Sequence, residues 1–529
     1  MPFPPANSPW PPRPHDIVLA ACAERQVWWE GDPEKLAGFY GGQPWSRPLR
    51  QPNAGMISRA WSAIQNAFWS RPQSSVTEPK RVHVPLAADI GRVASSVLFS
   101  EPPTWRDPAN GQEVQNVVDQ ILNTRDTASR LLVAGEGASI LSGAFGRIVW
   151  DSTLRDHVWL DFVDADRAIP TFRWGVLSEV TFFTVLLGSD DHTVWRHLER
   201  HAPGRIEHAL YEGEPTNIGH PVPLTENPET APLAAIVDSA GGYDTGIEQL
   251  TAAYFPNHRP NPGWRNIPDL APLGRSDITR DVLHLLDAAD ECWSSWMRDL
   301  QLGRGRLVVS EQLLANRGPG KGVGFDMEQA VFTPVGNAVK DGEMTSLMEA
   351  HQFDIRVTEH QQTFEGILRR AISKVGFSPL TFGLADEVAQ TATEVDAKER
   401  DTNATRAARI RLWTPGLADL GTAALAINAQ LFSTKEPGEL LDLEFPAMHQ
   451  QSERQRAETV ELVARATAAS KETLVRMLHP EWDDADVQTE VEQILKEEGM
   501  QMPNLPTEGN EGDPFADPAA QADPVVPGE

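Results

Sequence analysis

Cysteine is scarce in this 529-residue sequence: there are two, Cys22 and Cys292, far apart. Two thiols make no disulfide framework, so folding in a reducing compartment is the expectation. No apolar run reaches the ~18 residues that a membrane span requires. The opening MPFPPANSPWPPRP carries prolines where the apolar core of a secretory signal would stand. A soluble chain made inside the cell, with no membrane partner, is expected. Basic residues are outnumbered, with 46 Lys and Arg against 75 Asp and Glu and a formal net charge of −29. Lys and Arg supply phosphate affinity, so a broad nucleic-acid grip is excluded, whereas nucleic acid passing by without being held is not. The acidic surplus is greatest over residues 436–529.

Catalytic fingerprints are missing as well. There is no GxSxG, no paired CxxC and no nucleophile–base pair. GPGKGVG (318–324) has the glycines of a phosphate-cradling loop without its spacing, because Gly322 and Val323 follow Lys321 where Ser or Thr is required. HLERH sets His197 and His201 four apart, with Glu199 between and His208 beyond. On a helix that pair could bind zinc with Glu199 as base, making a metal-dependent hydrolase the chemical alternative. The metalloprotease pattern needs Glu directly after the first His, where Leu198 stands, and the flanks read as strand, which puts such a pair ~13 Å apart. Hydrogen-bonded histidines are the plainer reading. The carboxylates Asp161, Asp164 and Asp166, like Asp483, Asp484 and Asp486, lack the Gly and distal Glu of a calcium loop. No metal, no cofactor and no enzymatic activity are expected.

What is present is a globular composition, 40% hydrophobic and rich in Trp with 16, in a chain long enough for about three domains. Its organising stretch is Arg275–Val375. Ile278, Val282, Leu285, Leu286, Ala289, Trp293, Trp296, Met297 and Leu300 step by three and four, predicting one helix over 276–300, about 37 Å long. Ser276 reads as its N-cap, Asp277 as a carboxylate at the positive end of the dipole, and Gly303 and Gly305 as its stop. A second helix is expected from about Glu343 to Lys374, with a strand RLVVS (306–310) and a Gly-rich lobe between the two. Two long rods carrying a small lobe suggest a stalk whose apolar stripes need neighbours.

The rest of the chain frames this stalk. Residues 1–15 read as a disordered Pro-rich arm, residues 16–70 as helical patches, and 81–105 as a short strand followed by a helix. A helix at 113–142 leads into GAFGRIVWD. From there to about 255, runs such as EVTFFTVLLG and RIEHALYEG predict an antiparallel β-rich lobe. A long helix is expected after residue 391, interrupted at Pro415-Gly416. A short strand at 440–445, a final helical lobe and a disordered tail at 500–529 follow.

Five stretches, in the same order along the chain, resemble one family: VPLAADIGRVASSVLFSEPP (84–103), WRHLERHAPGRIEHALYEG (195–213), YFPNHRPNPGWR (254–265), LGRSDITRDVLHLLDAADECWSSWMRDLQLGRGRLVV (273–309) and FSPLTFGLADEVAQTATEVDAKER (377–400). The sequence is similar to portal proteins of tailed bacteriophages, of the siphophage type from phages of actinobacteria. The resemblance implies an α+β portal fold: a wing at 16–275, a stem helix at 276–300, a small α/β clip at 301–342 and a second stem helix at 343–375. A tunnel loop at 376–392, a long wing helix at 393–435, a helical crown at 436–499 and an acidic tail complete it.

It further implies a homo-oligomeric ring, usually of twelve, at one capsid vertex of the virion, made in the host bacterial cytoplasm. Its channel would pass double-stranded DNA during packaging by the terminase large subunit and during ejection. A head–tail adaptor and the major capsid and scaffolding proteins would be its other partners. Asp386, Glu387, Gln390 and Thr391 would face the DNA, Arg304, Arg306 and Lys321 would lie where partners dock, and Leu285, Trp293 and Trp296 would meet neighbouring subunits. Another ring-forming connector or scaffold of the virion is the closest rival.

Overall fold

The computed structural model describes residues 3–41, 81–109, 111–302, 306–309, 315–316, 323–324, 348–351, 355–384, 399–446, 460–461, 463–465, 469–479, 482 and 484–501. Residues 1–446 form one compact unit and residues 447–529 a second.

In the first unit, helices α1 (His15–Glu30), α2 (Pro33–Gly41) and α3 (Leu86–Phe99) precede strand β1 (Thr104–Arg106), α4 (Gln112–Ile121) and α5 (Arg125–Leu141). Thr124 starts α5 as a true N-cap, its side chain accepting from the Thr127 N–H at 3.1 Å. Strands β2 (Gly143–Val149), β3 (Trp159–Asp164), β4 (Ala168–Arg173), β5 (Val176–Val185), β6 (Val194–Ala202), β7 (Arg205–Glu214), β8 (Asn217–Val222), β9 (Gly242–Asp244) and β10 (Ala252–Pro256) follow. They build two antiparallel sheets, one in the order β10-β2-β3 and one in the order β4-β5-β6-β7-β8 with β9 beside β7. The β-rich lobe read from the sequence is therefore present. Alternation and register fix its two faces, both partly covered: Val194, Arg196 and Leu198 of β6 share one face with Tyr211 of β7, while His201 of β6 shares the other with Ile206, His208 and Leu210 of β7.

Next come α6 (Arg280–Leu302), β11 (Arg306–Val309), β12 (Ala315–Asn316), β13 (Val323–Gly324), β14 (Met348–His351), α7 (Val357–Val375), α8 (Arg400–Phe432) and β15 (Asp442–Glu444). The main core lies where α8 crosses β10 and the α3–α5 layer. Trp413 is 1% exposed; it stacks on Phe255 at 4.8 Å and meets Phe99 edge-on at 4.9 Å. The Trp105 indole N–H donates to the Leu417 carbonyl at 3.1 Å.

Several expectations are corrected. Residues 3–14 are no free arm: Trp10 is 5% exposed, lies 5.1 Å from Phe183 and carries the Arg196 guanidinium over its ring. The Trp10 backbone N–H donates to the Thr216 carbonyl, and the Tyr211 hydroxyl donates to the Pro4 carbonyl. The arm completes the small apolar cluster on the six-stranded sheet.

Helix α8 is continuous through Pro415. The missing proline N–H costs one hydrogen bond, but burial of Trp413, Leu417 and Leu420 outweighs it, and Gly416 lets the helix lie close on β10, since a Cβ there would come within 2.8 Å of the Phe255 ring. The helix expected from residue 343 is replaced at 348–351 by β14, which pairs antiparallel with β11, Arg306 opposite His351. Cross-strand pairing there overrides helical spacing carried by few residues. Residues 440–445, expected in the crown, lie in the first unit, with β15 antiparallel to β1.

In the second unit, α9 (Lys471–Leu478) packs on α10 (Asp484–Gln501); Val475 and Val487 are buried, and His479 stacks on Trp482 at 4.0 Å. Ser470 caps α9 by accepting from the Thr473 N–H. Among the described residues no helix is long and apolar enough to cross a membrane.

Candidate functional site

Helices α6 and α7 run antiparallel and are tied together along their length. At one end Lys374 donates to Asp281 at 3.0 Å. Midway, Cys292 Sγ lies 3.7 Å from the His360 carbonyl oxygen and the Trp293 ring 5.0 Å from Phe364. Further on, Trp296 stacks on His360 at 6.0 Å with planes 8° apart, and Asp299 accepts from Arg356 and His360 at 2.8 and 2.9 Å. Hydrogen bonds from His360 and Arg356 hold the Asp299 carboxyl below its usual range. Trp293 and Trp296 meet each other edge to face at 5.4 Å. The expectation that this stripe has no partner in its own chain is thus corrected, because α7 covers part of it.

Burial along α6 is graded. Val282, Leu286 and Ala289, with Ile278 just before the helix, are at most 1% exposed. Leu285, Trp293, Trp296 and Met297 are half-buried and Leu300 is exposed. The described structure covers the stripe at its start and leaves it partly open beyond.

The buried end is a root of charge and hydrogen bonds. Helix α6 begins at Arg280, so Ser276 is not its cap. Ser276 Oγ donates to the Ile140 carbonyl at 2.6 Å and accepts from the Ile278 N–H at 2.9 Å. Asp277 points away from the helix into the core: its Oδ2 accepts from Ser139 Oγ at 2.6 Å and from Arg409 Nη2 at 2.7 Å, and its Oδ1 lies 3.0 Å from His258 Nε2. Both charged side chains are almost fully buried. Burial opposes the charge on Asp277, but the Arg409 guanidinium and the hydrogen bonds from His258 and Ser139 outweigh it and hold the carboxyl well below its usual range. A second buried carboxylate, Asp290, accepts the Val84 N–H at 2.8 Å and lies 2.7 Å from His83 Nδ1, binding residues 82–84 along α6. In the sequence Asp277 stood out only as a helix-dipole carboxylate, and Asp290 did not stand out. The available signal was Arg409 itself, a cation on the same face of α8 as Trp413 and Thr402.

The expected tunnel-loop residues Asp386, Glu387, Gln390 and Thr391 lie outside the described residues, as do Arg304 and Lys321. Arg306 is placed by its backbone on β11. His197 and His201 sit on β6 with their ring nitrogens engaged: His197 Nε2 lies 3.1 Å from His208 Nδ1, and His201 is held between Thr251 Oγ1 at 2.6 Å and Glu199 Oε1 at 2.7 Å. Glu199 also accepts from Arg147 at 2.7 Å. Among the described residues no group of three His, Cys, Asp or Glu is arranged to hold a metal. Asp161 is held by Arg130 and Arg147. Burial, and then the charge of Asp166, pushes the Asp164 carboxyl up to about 6.

The first unit thus combines an antiparallel helix pair, rooted in a buried ion pair, with a β-rich lobe. The chain belongs to the phage portal protein family, SPP1 Gp6-like, whose family model matches residues 63–504. This is a family of structural virion proteins rather than enzymes. Among curated proteins none matches the sequence. Solved structures with similarity include the neck of an empty gene transfer agent (GTA) particle computed with C6 symmetry, at 13% identity and a TM-score of 0.38, covering 74% of this chain and 90% of that one. The virion of a native GTA particle, at 13% and 0.38, covers 89% and 96%. The neck of a native GTA particle with C12 symmetry, at 13% and 0.36, covers 89% and 95%.

Proposed function

We propose that copies of this chain close into a ring, of twelve as is usual for portals, whose channel conducts double-stranded DNA into and out of a capsid. In this reading α6 and α7 form the stem, the β-rich lobe with α8 the wing, residues 301–342 the clip, residues 376–392 the tunnel loop, and the second unit the crown. One observation carries it: the pair is buried and bolted at its root, while Leu285, Trp293, Trp296 and Met297 remain half-open along one face. An apolar face of that kind on a soluble protein marks a contact surface, and in a ring the contact is another copy.

The conduit's work is mechanical. A net charge of −29 suits a wall that repels phosphate, so that DNA slides without being trapped. Asp386, Glu387, Gln390 and Thr391 would present that wall. ATP hydrolysis would belong to the terminase large subunit docking at the clip, where Arg304, Arg306 and Lys321 offer cations in an acidic chain, followed there by a head–tail adaptor. Major capsid and scaffolding proteins would surround the wing, after synthesis in the host cytoplasm. The test is packaging with Asp386→Lys/Glu387→Lys: stalled or several-fold slower packaging is expected, and an unchanged rate contradicts the role of the loop.

A further inference from the structure

The chain enters the α6–α7 pair through residues 274–278 and leaves it through 376–381, and the first turns of α8 hold both places. Thr402 Oγ1 accepts the Ser378 N–H at 2.9 Å and lies 2.8 Å from Thr381 Oγ1. Thr405 Oγ1 donates to the Gly376 carbonyl at 2.6 Å. Gly376 ends α7 at φ +91°, and a Cβ there would come within 2.6 Å of that same hydroxyl oxygen. One turn beyond Thr405, Arg409 reaches Asp277 at 2.7 Å, and its guanidinium lies over the Phe377 ring at 5.1 Å. Thr402, Thr405 and Arg409 share one face of α8 at spacings of three and four, and that face continues as the apolar Trp413 and Leu417.

A buried ion pair is a poor stabiliser compared with well-packed apolar groups, but it fixes direction and register. Arg409 also leaves its Nε buried without an acceptor, so its placement serves the reach to Asp277 more than its own hydrogen bonding. We propose that Thr402, Thr405 and Arg409 are positioning residues that, with Asp277, form a joint fixing the tilt of both α6 and α7 against α8, so that a displacement of α8 moves the two helices together. The proposal rests on the reading of this pair as a portal stem for its purpose, while the joint itself belongs to a single chain.

The test is the distribution of distances between spin labels at two exposed sites, Arg298→Cys on α6 and Leu154→Cys on the lobe, in a Cys292→Ser background, with labelled chains diluted into unlabelled ones. The parent gives one narrow distribution. Arg409→Met and Asp277→Asn are expected to widen it at least two-fold and to lower the melting midpoint. The double variant Asp277→Asn/Arg409→Met leaves no orphaned charge, and should recover the midpoint while keeping the wide distribution. A double variant as narrow as the parent overturns the proposal, because the pair would then only neutralise buried charge. If those variants do not fold, Thr405→Val decides, since it removes one hydrogen bond without adding charge: widening supports the joint and an unchanged width refutes it. A parent chain that forms no ring yet shows these effects would sink the portal reading and leave the joint standing.

Discussion

The core under α8 and the helix pair use the same currency of aromatic side chains and end up differently. Around Trp413, partners are supplied from all sides by one chain: Phe99 from α3, Phe255 from β10 and Leu417 from α8 itself. On the helix pair, α7 supplies Phe364 to Trp293 and His360 to Trp296, and both indole rings remain half-open. A helix packed against one helix and a short extended segment leaves part of its stripe open, whereas a helix laid over a sheet and two helices can bury it. Within one chain the core under α8 is closed, whereas the face of the helix pair stays half-open, the difference on which the proposed ring contact rests.

Substitutions break this comparison most directly. Trp413→Ala is expected to cost about 3–5 kcal/mol, through lost transfer and an unfilled cavity, and to lower the melting midpoint of isolated chains and rings alike. Trp293→Asp or Leu285→Asp should leave the midpoint of the dispersed chain within a few degrees and remove assembly, read by light scattering on a sizing column. If Trp293→Asp destabilises the single chain as much as Trp413→Ala, the two regions do not differ in kind.

The smallest effect is one of acidity. Burial lowers the pKa of His208 in the lobe to about 4, and burial does the same to His15 at the start of α1. These rings are neutral when folded, and the unfolded chain takes up their protons below about pH 6.5, so stability present above that value is lost as pH falls toward 4. At pH 5.5 the loss is about 1–1.5 kcal/mol for each imidazole. Asp277 behaves otherwise: its depressed carboxyl contributes fully above the ordinary carboxylate range and loses that contribution only as pH falls below it. Protection factors, corrected for the intrinsic pH dependence of amide exchange, should therefore fall in β6 and β7 at pH 5.5 before they fall at the root of α6. Simultaneous loosening would mean that the two regions share one acid-sensitive network.

Much of this was legible in the chain. Alternation in β6 and β7 and the three–four spacing from Ile278 to Leu300 gave the lobe and the first long helix, because periodic burial leaves a periodic sequence. The root was not legible. Ser276 and Asp277 have the composition of a cap, and local rules assign them to the helix dipole; only the fold brings Ser139, His258 and Arg409 around them. Pro415 misled for the same reason, since a local break was overridden by burial on both sides of it. The docked arm was missed because proline-rich composition says nothing of Trp10 finding Phe183.

The central claim is that the open face of the helix pair meets copies of the same chain around a channel. Class-averaged electron micrographs of the purified protein test it most directly. Closed rings with a hole wide enough for a DNA duplex, absent for Trp293→Asp, are the predicted result. Well-dispersed single chains from the parent, or rings that persist in the Trp293→Asp variant, would contradict it.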